Sequence, residues 1–325
     1  MLSSTRRLTG WGLVILVALT SVACANPLYV AGMKVIYKRA PLPASQIYKN
    51  ISYSTLPGAP KQRLDLYTPA SRGWPAVVFV HGGNWTEGDR ALTVGGADVY
   101  GNIGRFLALH GYGTAVISYR LIPDVDWHIQ ADDVAMALKW VYESAPAYGA
   151  TRDAIVMMGH SAGAQLAIRA ALDEDRLRRM AVPRSAIQGV IAVSGAGYDM
   201  TDEQTYSLGG DPVFYEQRFR LSADDKNWRQ RGSILPLTAT NPPPTLVMFA
   251  GGDTPALKRQ SQLLAAALKQ AGASTTVLEA PGLSHTRIVP TLSREDRVAS
   301  AAILDFLSAR TWRGEIGRAS CRERV

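Results

Sequence analysis

The stretch GHSAG, Gly159 to Gly163, sets a serine hydroxyl between two glycines, directly after the apolar run AIVMM and directly before the helical AQLAIRAAL. A serine on a sharp strand-to-helix turn must adopt a strained backbone, and flanking glycines leave room for the helix to pack tightly on the strand. The hydroxyl is a poor nucleophile until a base takes its proton, so Ser161 needs a histidine, and the chain has five. His160 sits beside the serine, where its side chain should point away. His81 belongs to the loop of VFVHGGNW, His110 ends a helix before GYG, and His128 lies in the connection DVDWHIQADD. His285, in PGLSHTR, follows the β-rich TTVLEA and is the base by elimination. A base needs an acid to hold its tautomer and to stabilise the imidazolium. Asp253 in FAGGDTP and Asp199 in GAGYDM each end an apolar run and both remain candidates. Such a set performs nucleophilic acyl transfer.

The elements that must position these residues are legible as two alternating signals. Short runs rich in β-branched residues recur: AVVFV from 76, TAVISY from 114, AIVMMG from 154, GVIAVSG from 189, TLVMFAGG from 245 and TTVLEA from 275. Continuous rather than alternating apolarity predicts strands covered on both faces. Between them Val134, Leu138 and Val141 fall at i, i+4, i+7. Leu264, Ala267, Leu268 and Ala271 fall at i, i+3, i+4, i+7, and Ala299, Ala302, Ile303 and Phe306 repeat that spacing. Ser293, three before Asp296, predicts a capping box opening the last helix. Strand and helix in alternation predict an α/β domain, a mostly parallel central sheet flanked by helices. Ligands gather at the C-terminal edge of such a sheet, where Ser161, both aspartates and His285 all fall. The order Ser, Asp, His with the acid on the penultimate strand is that of the α/β-hydrolase pattern, which favours Asp253 over Asp199 as the acid.

Taken together, HGGNW at 81, SYRLIP at 118, GHSAGAQLA at 159, GGD at 251 and SH at 284 resemble α/β-hydrolase-fold esterases. The branch is that of hormone-sensitive lipase and the feruloyl or carbohydrate esterases, HGGxW type, with kynurenine-formamidase-like relatives. The resemblance runs from QRLDLYTPA at Gln62 to the final helix and implies the α/β-hydrolase fold, into which the irregular stretch 200–243 is read as a lid insertion. It also implies that the His-Gly-Gly loop forms an oxyanion hole in which the backbone N–H groups of Gly83, Asn84 and Ala162 meet the charge that attack by Ser161 places on a carbonyl oxygen. The lipase-like branch has a third glycine where this chain has Asn84, a departure toward smaller esterases and formamidases and away from lipases. A phosphate-cradling loop is the rival for the glycines, but no GK[ST] follows and the spacing fits no dinucleotide fingerprint.

Both ends of the chain fall outside this argument. Arg6 and Arg7, an apolar stretch from Trp11 to Leu19 and the small residues Ser21, Ala23 and Ala25 have the layout of a secretory signal over residues 1–25. The stretch is short of the roughly 20 residues a spanning helix requires. SVAC, ending at Cys24, resembles a bacterial lipobox with Ser21 where an aliphatic residue is usual. Lipidation of Cys24, which would tether the protein to a membrane face, and simple cleavage after Ala23 or Ala25 both fit. The expectation is an exported protein: periplasmic, secreted or a membrane-anchored lipoprotein. Residues 315–325, EIGRASCRERV, read as a short-read sequencing adapter translated in frame, against the alternative of a basic tail. Setting both ends aside, a mildly basic domain over 26–314 remains of a chain whose formal charge is +8. It has no arginine-rich arm to suggest nucleic acid and no cysteine, hence no internal disulfide.

Residues 200–243 carry Tyr206, Phe214, Tyr215, Phe219 and Trp228 in no regular pattern and read as a lid or pocket wall, or else as a surface excursion with a small core of its own. Trp85 and Tyr198 adjoin the catalytic segments and either line an acyl pocket or pack. The expected function is a serine hydrolase of carboxylic esters, short-chain or aromatic, that acts on a small molecule and requires neither metal nor cofactor. An amide or formamide hydrolase would use the same residues, and a non-catalytic binding protein on the same fold is the third alternative.

Overall fold

The computed structural model describes residues 27–54, 60–239 and 241–311. The signal segment with Cys24 and the segment 315–325 lie outside the described residues. Eight strands make the central sheet: β1 (Ile47–Ser52), β2 (Arg63–Tyr67), β3 (Trp74–Val80), β4 (Gly113–Ile117), β5 (Ala150–His160), β6 (Ile187–Val193), β7 (Thr245–Ala250) and β8 (Thr275–Ala280). Their order is β1-β2-β4-β3-β5-β6-β7-β8. Strand β2 runs antiparallel to both neighbours, and every other pairing is parallel. The six apolar runs are β3 to β8, as expected. All of β3 and β7 is buried, whereas β8, on the sheet edge, is largely exposed and buries only Ala280.

Alternate residues of each buried strand feed two cores. Val78, Val80, Met157 and Ala192 face one side, against helices over Trp127–Tyr148, Ala162–Leu172 and Pro255–Gln270. Val77, Phe79, Met158 and Val193 face the other, against Val99–Leu109 and Val298–Thr311. The predicted helical stripes are on these inner faces: Val134, Leu138, Val141, Leu264, Leu268, Ala299, Ile303 and Phe306 are all buried. The capping box does not form. Ser293 closes the preceding turn, its hydroxyl donating to the Pro290 carbonyl and accepting from Asn102, and the last helix begins at Val298.

The segment between β6 and β7 folds into short helices over Glu203–Ser207, Pro212–Phe219 and Trp228–Gly232. Its aromatic side chains join the main core: Phe219 stacks edge-on against Trp85 at 5.0 Å and lies 5.6 Å from Trp127. From the helix after β5, Gln165 and Arg169 donate to the Gly232 carbonyl, and Arg169 also reaches the carbonyls of Arg231 and Ser233. Burial without a carboxylate partner pushes the Arg169 guanidinium down to about 9, so this fastening is made of main-chain dipoles.

Candidate active site

Strand β5 ends at His160 and the next helix starts at Ala162, so Ser161 occupies the whole turn between them, at φ 56° and ψ −125°. That conformation is strained for a residue with a Cβ, and its neighbours enforce it. The Ser161 N–H donates to the Val193 carbonyl at 2.9 Å. A Cβ on Gly159 would overlap the Gly163 carbonyl, and one on Gly163 would overlap the carbonyls of Val80 and His81. Both glycines of GHSAG are thus demanded by backbone contact on either side of the serine.

Three strand ends bring the remaining groups together. The His285 Nε2 lies 3.0 Å from Ser161 Oγ, and its Nδ1 lies 2.9 Å from Asp253 Oδ1. A carboxylate only accepts, so Nδ1 carries the proton and the Nε2 lone pair faces the serine hydroxyl. The second oxygen of Asp253 accepts from Ser194 Oγ at 2.7 Å and from the Ala250 N–H at 3.0 Å. Burial alone would raise the Asp253 carboxyl, but its bonds to His285, Ser194 and Ala250 outweigh burial and hold it below the usual carboxylate range. The loops bearing acid and base are laced to each other, with Gly251 N–H donating to the Ala280 carbonyl and Gly252 N–H to Leu283, both at 2.8 Å. Asp199 is elsewhere: its carboxylate accepts from the N–H and hydroxyl of Thr201, and its main chain pairs with Gln260.

Beside the serine lies the loop after β3. A Cβ on Gly82 would press on the His160 carbonyl and on Ser161 Cβ, so this backbone sits directly against the elbow. Gly83 (φ 125°), Asn84 (φ 54°) and Trp85 (φ 63°) follow with positive φ. The Gly83 carbonyl accepts from the N–H groups of Thr86 and Glu87, the Asn84 carbonyl from Arg218 Nε at 2.9 Å, and the Trp85 carbonyl from Ile122 N–H and Gln130 Nε2. Three successive carbonyls are engaged, while among the described residues no carbonyl takes the N–H of Gly83 or Asn84. Ala162, first in its helix, has an N–H that the helix itself leaves unpaired. The loop meets the elbow at Gly82, and Ala162 directly follows Ser161 in the chain.

Of the two roles open to Trp85 and Tyr198, pocket lining and packing, the structure shows packing. They are 1 % and 0 % exposed and pack in the core, Trp85 against Phe214, Tyr215 and Phe219. Sequence reasoning also missed supporting groups. His160 does point away from the serine, but its Nε2–H donates to the His285 carbonyl at 2.9 Å. Ser194 was visible only as a small polar residue ending the neighbouring strand.

His81 and His160 are fully buried, and burial pushes them down to about 4 and about 3, so both are neutral in the fold. The unfolded chain takes up these protons below about pH 6.5. Stability is therefore lost as pH falls from about 6.5 toward 4, by an expected order of 3 kcal/mol per histidine. Denaturant melts at pH 7, 6, 5 and 4 should show this decline, and His160→Gln, which keeps a donor without a titrating ring, should make it shallower. A pH-independent midpoint would contradict the assignment.

A family model described as BD-FAE matches residues 64–268. The probable isoprenylcysteine alpha-carbonyl methylesterase ICME of Oryza sativa subsp. japonica is 29% identical over 256 residues, 75% of this chain and 59% of that protein. Esterase LipQ of Mycobacterium tuberculosis is 29% identical over 263 residues, 77% of this chain and 60% of that protein. The chain thus spans about three fifths of the length of these relatives. Among solved structures, a truncated carbohydrate esterase from gut microbiota superposes with a TM-score of 0.69 at 19% identity, covering 83% of this chain and 99% of the other, a likeness of fold.

Proposed function

The chain belongs to the BD-FAE family, and on that premise we propose that it is a serine hydrolase of carboxylic esters. The observation that carries the proposal is the unbroken line of hydrogen bonds from Asp253 through His285 to Ser161 Oγ. In the proposed reaction, His285 Nε2 takes the Ser161 proton as Oγ attacks the carbonyl carbon. The oxygen that becomes negative accepts from the N–H groups of Gly83, Asn84 and Ala162. Asp253 stabilises the imidazolium, which then gives its Nε2 proton to the departing alkoxide, leaving an acyl-enzyme on Ser161. A water deprotonated by the same nitrogen attacks that acyl carbon, and collapse releases the acid and returns the proton to Ser161.

Preference for an ester over an amide is supported by the relatives, both named as esterases and one as a methylesterase, which also points to a small leaving alcohol. A panel of activated esters of rising acyl length, assayed beside N-formyl and peptide substrates, tests the reading. Turnover should be highest for short-chain or aromatic acyl groups. Amide turnover exceeding ester turnover would replace it with an amidase.

A further inference from the structure

We propose that Arg218, from the insertion between β6 and β7, is a positioning residue for the oxyanion hole: it holds the Asn84–Trp85 peptide so that the loop presents N–H groups, not a carbonyl, to the reacting oxygen. The inference rests on the serine-hydrolase reading above and adds to it a role for the insertion. Arg218 sits on the helix Pro212–Phe219, 134 residues from the loop it grips. Its Nε donates to the Asn84 carbonyl and its Nη1 to the Phe214 carbonyl, both at 2.9 Å. The guanidinium lies over the Phe214 ring with Cζ 3.7 Å from the centroid. Two donors and a stacked face fix its plane, a geometry that a flexible ammonium does not reproduce.

Of the three engaged carbonyls in this loop, two are secured by the body of the domain. Gly83 is tied within its own turn and Trp85 is tied to Ile122 and to Gln130 on the helix Trp127–Tyr148. The middle one, on Asn84, has Arg218 as its partner among the described residues. Asn84 and Trp85 are both left-handed without being glycine, so the peptide between them is strained and relaxes when its anchor is removed. In this reading, relaxation of that peptide carries the adjoining Asn84 N–H out of position. The same helix packs Phe214, Tyr215 and Phe219 against the Trp85 ring, so seating of the insertion and assembly of the hole are a single event. Arg218 is half-buried, which lets it be replaced without opening the core.

The test compares Arg218→Ala and Arg218→Lys with wild type on an activated ester, measuring kcat and KM separately, the inhibition constant of a trifluoromethyl ketone, and the response to added millimolar guanidinium ion. The ketone adds Ser161 and forms an oxyanion in the same hole. For Arg218→Ala, kcat should fall about tenfold to a hundredfold, less than the hundredfold to thousandfold typical of deleting a donor outright. KM should stay near the wild-type value, and ketone affinity should fall by the same factor as kcat/KM. Guanidinium ion should restore part of the rate in Arg218→Ala and none in wild type, and Arg218→Lys should fall between. An unchanged kcat, or a change in KM alone, overturns the inference, the latter by making Arg218 a substrate contact. So does a rate loss that the ketone does not share. Absence of ester turnover in the wild type would overturn the hydrolase reading, a result distinct from any of these.

Discussion

Ser161→Ala is expected to lower kcat/KM for an activated ester by roughly 10^5- to 10^6-fold, His285→Ala by a similar factor, and the double variant by no more than either. The reason is geometric. Ser161 Oγ and His285 Nε2 share one hydrogen bond at 3.0 Å, and the bond-forming step needs the proton to leave along it as the oxygen attacks. Removing either end abolishes the same event, so their losses do not sum. What should survive is a residual rate of roughly 10^3 to 10^4 over water, supplied by the backbone donors beside Ser161 and by binding. Alanine keeps the Cβ at φ 56°, so the elbow's strain is unrelieved and melting temperatures should stay within a few degrees of wild type. Kinetics on all four proteins check this. Losses that multiply would place the two residues in separate steps, and a Ser161→Ala variant of normal rate would remove the acyl-enzyme from the mechanism.

The parts of this site that were legible in the sequence are those fixed by backbone demand close to the nucleophile. Gly159 and Gly163 are glycines because carbonyls occupy the space a Cβ would need, and that requirement shows as GHSAG between an apolar run and a helical one. The six strands β3 to β8 were legible because burial on both faces, or on one for β8, leaves a mark in β-branched composition. Strands β1 and β2 were not, because IYKNIS and RLDLY mix charged with apolar side chains, and Asn50 at φ 63° interrupts β1. The capping box at Ser293 failed because a hydroxyl three residues before an acid is equally suited to closing a turn, and Asn102 from a distant helix had already engaged it.

Supporting groups escaped for a different reason. Ser194 holds Asp253 across 59 residues, His160 holds the His285 main chain across 125, and Arg218 holds Asn84 across 134. None has a local signature, since a donor aimed at a carbonyl elsewhere in the fold leaves no periodicity and no motif. For Trp85 and Tyr198 the sequence left two roles open. Proximity to catalytic segments in the chain suggested a pocket, but large aromatic rings beside a rigid loop serve equally as its packing support, and complete burial decides for that role. The proposed oxyanion hole is consequently legible from the outside inward, with the glycines visible and the side chains that hold their neighbours in place invisible until the chain is folded.

The same outside-in logic makes Asp253→Asn the second large prediction, with an expected loss of about 10^4-fold in kcat. Asp253 Oδ2 receives two donors, the Ser194 hydroxyl and the Ala250 N–H. An asparagine must therefore put its single amide oxygen there and turn its NH2 toward His285. Two donors cannot face each other across 2.9 Å, so the imidazole gives up its Nδ1 proton and carries it on Nε2, where it points at Ser161 with no lone pair to accept. The loss is one of tautomer, with little change in packing, and should therefore appear in kcat with KM and melting temperature nearly unchanged. Ser194→Ala in the Asp253→Asn background tests the cause. With one of the two donors removed, the amide is freer to flip its oxygen toward His285, and part of the rate should return. Asp199→Asn is the control: its carboxylate is bound by Thr201 and makes no bond to His285, so its rate should stay within about threefold of wild type, on the order of the few tenths of a kcal/mol that sites outside a shared network contribute. A large loss at Asp199 beside a normal rate at Asp253 would transfer the acid's role to the other strand end and require a base loop arranged differently from the one that Gly251 and Gly252 hold in place.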